Sequence, residues 1–208
     1  MIAPRLFTYG VWASALLVAG CGGKIRSSHY YALEIPPAPR AAESGPRLPA
    51  TVAVRRFETP AYLRQGRIVY REAPAEIGFY EYHRWAADPA AMVTSAVIDA
   101  LRSSQLVSFV KPYDGQGQQD YLMSGRLKQL EEIDSAGTVR VAAKLSAELV
   151  DLRTGAMVWA GEDSETLGVE TRNVNSVVVE MSHAVQASID RLVASMRQQL
   201  PANSQVVR

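Results

Sequence analysis

Val139-Arg140-Val141-Ala142-Ala143-Lys144-Leu145-Ser146-Ala147-Glu148-Leu149 alternates along its whole length. Val139, Val141, Ala143, Leu145, Ala147 and Leu149 fall on one side, with Arg140, Lys144 and Glu148 on the other. A period of two, apolar against charged, is a strand with one face buried and one wet, which suits an antiparallel sheet. Just upstream, Tyr121, Met123, Gly125 and Leu127 repeat the pattern in a strand reaching about Ile133, and Asp134-Ser135-Ala136-Gly137 makes the turn between the two. Downstream, Asp151 to Gly155 makes a second turn, and Met157 to Thr166, which includes Trp159, supplies a third strand.

Outward from these strands the period changes. Val174, Val177, Val178, Met181, Val185, Ile189, Leu192 and Met196 form the apolar stripe of a long helix, which Asn173 or Asn175 can cap and Pro201 ends. On the other side, Asp88-Pro89 opens a helix running to about Ser104: Asp is a favoured N-cap, and Pro at the first helical position has no N–H to leave unpaired. Leu106 to Val110 is a short strand, followed by a Gly- and Gln-rich loop over Lys111–Gln119.

Further upstream, Thr51 to Phe57 predicts a strand with Val52 and Val54 inward. Arg67–Glu72 and Ile77–Trp85 predict a hairpin about Ala73-Pro74-Ala75-Glu76. His29 to Ile35 predicts a first strand. Pro36 to Pro49 holds five prolines and predicts a polyproline-like surface connection rather than a central strand or helix. Strands, a helix, three long antiparallel strands and a long helix together predict one α+β domain: a mixed, mostly antiparallel sheet with two main helices packed on one face.

The start of the chain predicts export. Arg5 gives a basic opening, Val11–Ala19 is apolar, Gly20 is small, and Cys21 is the only cysteine. That is the layout of a secretory signal, and from Leu6 to Gly20 it is shorter than the roughly twenty residues that span a bilayer. Val18-Ala19-Gly20-Cys21 resembles a bacterial lipobox, which implies that Cys21 is acylated and becomes the first mature residue. The expected organisation is a signal peptide over 1–20, acylated Cys21 and a tether over 21–28, the α+β domain over 29–200 and a flexible tail over 201–208. Gly22–Ser28 reaches only about 25 Å when extended, so the domain should sit close to the membrane.

Composition narrows the classes of function. The whole chain carries a formal net charge of +1, and removing Arg5 with the signal leaves 21 Lys+Arg against 21 Asp+Glu. A neutral domain lacks the basic stripe that nucleic acid demands. The three histidines, His29, His83 and His183, share no local metal-ligand spacing, so neither metal nor cofactor is expected beyond a covalent lipid on Cys21. Ser182-His183 are helix neighbours that face apart, Met123-Ser124-Gly125 lacks the first Gly of a nucleophile elbow, and Glu131-Glu132 point to opposite faces of a strand. Gly115-Gln116-Gly117 has no following Lys-Ser/Thr and reads as a flexible loop. No catalytic residue is assigned. The notable cluster is aromatic: Tyr70, Phe79, Tyr80, Tyr82 and Trp85 read as core and sheet face, or as a contact surface in which Tyr80, Tyr82 and Trp85 are the candidate residues.

Four features in order resemble one family: the lipobox, Tyr30-Tyr31-Ala32-Leu33, Val69-Tyr70-Arg71-Glu72, and Phe79-Tyr80-Glu81-Tyr82-His83-Arg84-Trp85-Ala86-Ala87-Asp88-Pro89. Together they are similar to the ABC-type transport auxiliary lipoproteins, the PqiC-like family, from about His29 to the end of the last helix. The resemblance implies a non-enzymatic part beside transporters of the mammalian-cell-entry (MCE) type, which move lipids between the inner and outer membranes. It implies as partners the outer membrane, through the lipid anchor, and an MCE-domain protein, with identical subunits able to form a ring. Gly22 after the cysteine, rather than the Asp that resembles an inner-membrane retention signal, favours the outer membrane facing the periplasm. Two other readings are a lipid-binding shuttle or chaperone, which needs an apolar pocket of its own, and a periplasmic hydrolase using His83.

Overall fold

The computed structural model describes residues 26–36, 48–135 and 137–200, so Cys21, most of the Pro-rich connection and the tail beyond Leu200 lie outside the described residues. Among the described residues eight strands, two α-helices and one short 3-10 helix follow one another: β1 (His29–Tyr31), β2 (Leu48–Val54), the 3-10 helix (Ala61–Gln65), β3 (Arg67–Arg71), β4 (Gly78–Trp85), α1 (Pro89–Ser104), β5 (Val107–Pro112), β6 (Tyr121–Ser135), β7 (Thr138–Asp151), β8 (Met157–Gly168) and α2 (Val174–Gln199). This is the expected α+β domain. The three predicted long strands pair as antiparallel neighbours, β6 with β7 and β7 with β8. The β3–β4 hairpin is antiparallel too, while the β1–β4, β2–β5, β2–β6 and β3–β6 contacts are parallel and shorter.

One strand holds the sheet together. β6 pairs along its full length with β7, but its other edge is shared. Tyr121–Met123 pairs with β2, and Glu132–Ile133 pairs with β3. Between them a single bridge joins Glu58 to Arg126. The sheet is therefore forked, with β5-β2 and β1-β4-β3 as two prongs on one side of β6.

A bulge in β6 between Leu127 and Gln129 changes which residues face inward. Before it, Met123 and Leu127 are buried beneath the helices. After it, Leu130 and Glu132 lie beside inward-facing Ala143 and Val141, and Gln129 and Glu131 turn outward. One extra residue flips the parity of everything that follows. The inward residues of β7, from Val139 to Leu149, meet the α2 stripe of Val177, Met181, Val185, Ile189, Leu192 and Met196 in one continuous core.

Both helices start as their sequences predict. Asp88 Oδ1 accepts from the N–H groups of Ala90 (2.8 Å) and Ala91 (3.3 Å). Asn173 Oδ1 accepts from Ser176 N–H at 2.9 Å. Elsewhere the boundaries move. The first strand stops at Tyr31 rather than Ile35, because Leu33 N–H points at Met92 Sδ (3.4 Å) and Glu34 N–H donates to Ser182 Oγ (3.1 Å), drawing the chain onto the helices. The second strand runs over Leu48–Val54 rather than Thr51–Phe57. Pro49 lies inside it, where the register with β5 is irregular, so its missing N–H breaks no regular ladder. Phe57 has left the sheet: its N–H donates to Thr94 Oγ1 (2.9 Å), and its ring lies so close over Gly125 that a Cβ there would stand 2.3 Å from it.

Candidate docking and anchoring surface

Where the chain enters the described fold, two histidines and four tyrosines gather. The Arg26 guanidinium lies 5.7 Å from the centre of the Tyr82 ring, a cation over an aromatic face. β1 then places His29 opposite His83 and Tyr31 opposite Trp85. The His29 and His83 rings stack at 5.3 Å and 16°. Tyr31 Oη lies 2.8 Å from His83 Nδ1. Tyr80 meets His83 edge-on at 5.5 Å and Tyr70 at 5.2 Å, and its hydroxyl donates to Glu132 Oε2 at 2.7 Å.

The parity flip in β6 supplies that carboxylate. Burial pushes the Glu132 carboxyl above the ordinary range, and the Tyr80 hydrogen bond offsets part of the rise. Tyr80 is raised in turn, first by burial and then by that bond. His83 is held below its ordinary value, first by burial and then by the neighbouring His29.

The three candidate contact residues fall in different surroundings. Tyr80 is half-buried and occupied with Glu132, and Tyr82 is half-exposed beneath Arg26. Trp85 is only 5% exposed and belongs to the core, and its indole N–H has no partner among the described residues. The wet face of the sheet carries the other carboxylate. Glu131, fully buried, takes two bonds from Arg71 (2.7 and 3.1 Å) and one from Gln129 (2.7 Å). On the same face Lys128 and Lys144 both bond Glu162 and hold it down to about 2.

Two open grooves border these elements. One, of about 570 Å³, crosses the wet face between Arg55, Arg56 and Glu58 and a floor that includes Ser124, Ser146 and Ala160. The other, of about 1000 Å³, runs between residues 30–36 and α2, past Tyr30, Ile35, Val178, Val179, His183 and Asp190. Among the described residues no group of three His, Cys, Asp or Glu could hold a metal ion, and no helix is long and apolar enough to cross a membrane.

Besides Tyr30 in β1, which is 66% exposed, large exposed apolar side chains lie elsewhere. Phe109 is 72% exposed, Met157 57% and Leu152 41%. The register puts them at the opening end of β6: Phe109 pairs Thr51, Thr51 N–H donates to Asp120 Oδ2, Leu152 N–H donates to Asp120 O, and Met157 pairs Val150. Tyr82 lies beside the closing half of β6, since Arg84 pairs Arg67 and Tyr70 pairs Glu132. Some ten residues of strand, roughly 30 Å, separate the two ends. The sequence reading singled out neither these three residues nor the Tyr31–His83 contact. Phe109 and Met157 sit in strands that read as ordinary, and residues 31 and 83 meet only through a pairing across fifty-two positions.

The family model for the ABC-type transport auxiliary lipoprotein component matches residues 31–205. Among solved structures the chain is similar to protein XCC0632 from Xanthomonas campestris, at 17% identity and a TM-score of 0.72 over 83% of this chain and 97% of that one. It is similar also to hypothetical protein CT253 from Chlamydia trachomatis, at 10% identity and a TM-score of 0.52 over 74% of this chain and 99% of that one. Both likenesses are of fold. The search of curated proteins returned no match.

Proposed function

The chain belongs to the ABC-type transport auxiliary lipoprotein family, and from that premise we propose that it is a two-ended adaptor. One end is held at the outer membrane by acylated Cys21, and the other docks the periplasmic MCE-domain protein of an ABC transporter that moves lipids between the membranes. The observation that carries this reading is the separation of the two ends. The chain comes in from Cys21 past Arg26 and Tyr82 beside the closing half of β6, whereas exposed Phe109, Leu152 and Met157 lie at its opening end. An anchor at one end leaves the other free to face the periplasm.

Tyr80 and Tyr82 are proposed contacts on the anchored side. Trp85, with its ring in the core, acts on a partner only through the fold. Identical subunits side by side on the membrane would form a ring around the docked protein. One acyl chain binds a membrane only marginally, so the three chains implied by lipoprotein maturation are what make the attachment lasting.

A photo-crosslinking residue at Phe109 or Met157, introduced in cells, should trap an MCE-domain protein, while the same probe at Tyr82 should trap lipid or a neighbouring copy. If no position on either end ever recovers an MCE-domain protein, the reading fails. The open groove along α2 favours a second reading, a lipid shuttle. Native mass spectrometry showing bound lipid on the domain would favour it over the adaptor.

A further inference from the structure

We propose that β1 is an acid-sensitive strap: charging both His29 and His83 releases His29–Ala32 from the sheet and lengthens the link between the domain and its anchor. The lengthening rests on the acylation of Cys21 proposed above, whereas the release does not.

The strap is held by little. Three positions pair with β4, and the one further backbone bond beside them runs from Ala86 N–H to Tyr31 O at 2.7 Å. Side-chain contacts add to this: Arg26 over Tyr82, the partly buried Tyr31 ring against the core, and two contacts at His83, the stack with His29 and the Tyr31 hydroxyl at Nδ1. Both contacts suit a neutral His83. A neutral Nδ1 accepts the Tyr31 proton, but a protonated one donates, and the hydroxyl must turn round to accept. Two neutral rings stack well. Two imidazolium rings at 5.3 Å repel, and the ladder between them is too short to resist.

The surroundings do little to neutralise a second charge. On the strap's own side, Arg26 adds a positive charge over Tyr82. β4 presents Tyr80, Glu81 and Arg84, with Arg84 paired opposite Tyr30. β3 offers Tyr70, behind Tyr80. From β6 comes Glu132, whose carboxylate is engaged by the Tyr80 hydroxyl and disfavoured as an anion by burial. Across the groove α2 presents His183, Asp190 and Glu180, and Glu180 is within 3.3 Å of His183. His83 already resists protonation, through burial and through His29.

Release stops where the next fixed points begin, at the Leu33 contact with Met92 and the Glu34 bond to Ser182. Lengthening also requires Arg26 to leave Tyr82; with that contact gone, residues 26–32 together give seven more residues, about 25 Å of reach. Acid would thus let the domain stand further from its membrane without unfolding its core.

Hydrogen exchange on the full chain in detergent micelles tests this. From about pH 7.5 to about pH 5, and after correction for intrinsic exchange, protection at the Ala86 amide should fall about tenfold, with β6 and β7 unchanged. His29→Asn removes one of the two charges at an exposed position and should abolish the fall. Unchanged protection in the wild type, or the full fall persisting in His29→Asn, overturns the proposal. Cys21→Ser, which tests the anchor, should leave the exchange result as it is, so failure of the anchor and failure of the strap are read separately.

Discussion

Single residues here have clear and opposite jobs. Trp85 was a candidate contact by composition, yet its ring is buried and its N–H makes no bond among the described residues. Trp85→Phe should therefore cost little, while Trp85→Ala should cost about 3–5 kcal/mol by emptying a core site. Urea unfolding of the two variants separates them. Glu132 and His83 pull the pH dependence of stability in opposite directions. The Glu132 carboxyl is raised in the folded protein, so its contribution is full below the ordinary value of 4.5 and is lost as pH climbs through the raised one. His83 is depressed, so its contribution is present above 6.5 and is lost as pH falls through the lower value. Glu132→Gln should therefore flatten the decline in melting temperature above pH 4.5. His83→Gln should flatten the loss below 6.5. Thermal scans from acid to neutral pH check both, and a wild-type-like slope in either variant refutes its assignment.

At the scale of elements, the caps and the long strands were legible in the sequence because their information is local. Asp88 and Asn173 cap as expected, since a side-chain oxygen needs only the next two or three N–H groups. Asp88→Ala should cost about 1 kcal/mol through α1, and Asp88→Asn much less, as measured by chemical denaturation. The alternation over Val139–Leu149 placed β7 and its buried face directly. What escaped was non-local. The bulge after Leu127 reassigns the faces of Gln129–Glu132, and the alternating pattern upstream gives no sign of it. The inward turn of Leu33 and Glu34 depends on Met92 and Ser182, far along the chain, so a run of β-formers ended early. Pro49 entered a strand because the pairing beside it was already irregular. The candidate surface was half legible for the same reason. The aromatic block announced itself by composition, but the exposed trio of Phe109, Leu152 and Met157 is assembled only by register across β5, β2, β6, β7 and β8.

At the scale of the molecule, the two prongs of the sheet serve the two ends of the proposed adaptor. β1-β4-β3 receives the chain on the side of the proposed anchor, and β5-β2 carries Phe109. Cys21→Ser should move the protein from the membrane fraction to the soluble periplasmic fraction with its melting temperature unchanged. Cell fractionation and a thermal scan of the purified variant check this, and continued membrane retention would show a different attachment.

Among the described residues β6 is the only strand shared by the two prongs, and its seam with β7 runs unbroken from Tyr121 to Ser135 except at the bulge. In the proposed adaptor, held at a membrane at one end and docked to a transporter at the other, any shift of the two membranes apart loads β6 between its two prongs. Load between the two prongs crosses β6 through its short parallel ladders with β3 and β2, so the few hydrogen bonds in each are sheared together rather than opened one after another. Resistance of that kind is a matter of rate, set by the unfolding barrier and not by the equilibrium stability. In that adaptor the forked sheet would act as a mechanical coupling, in which the short strap at the proposed anchored end slips before the β6–β7 spine takes the load.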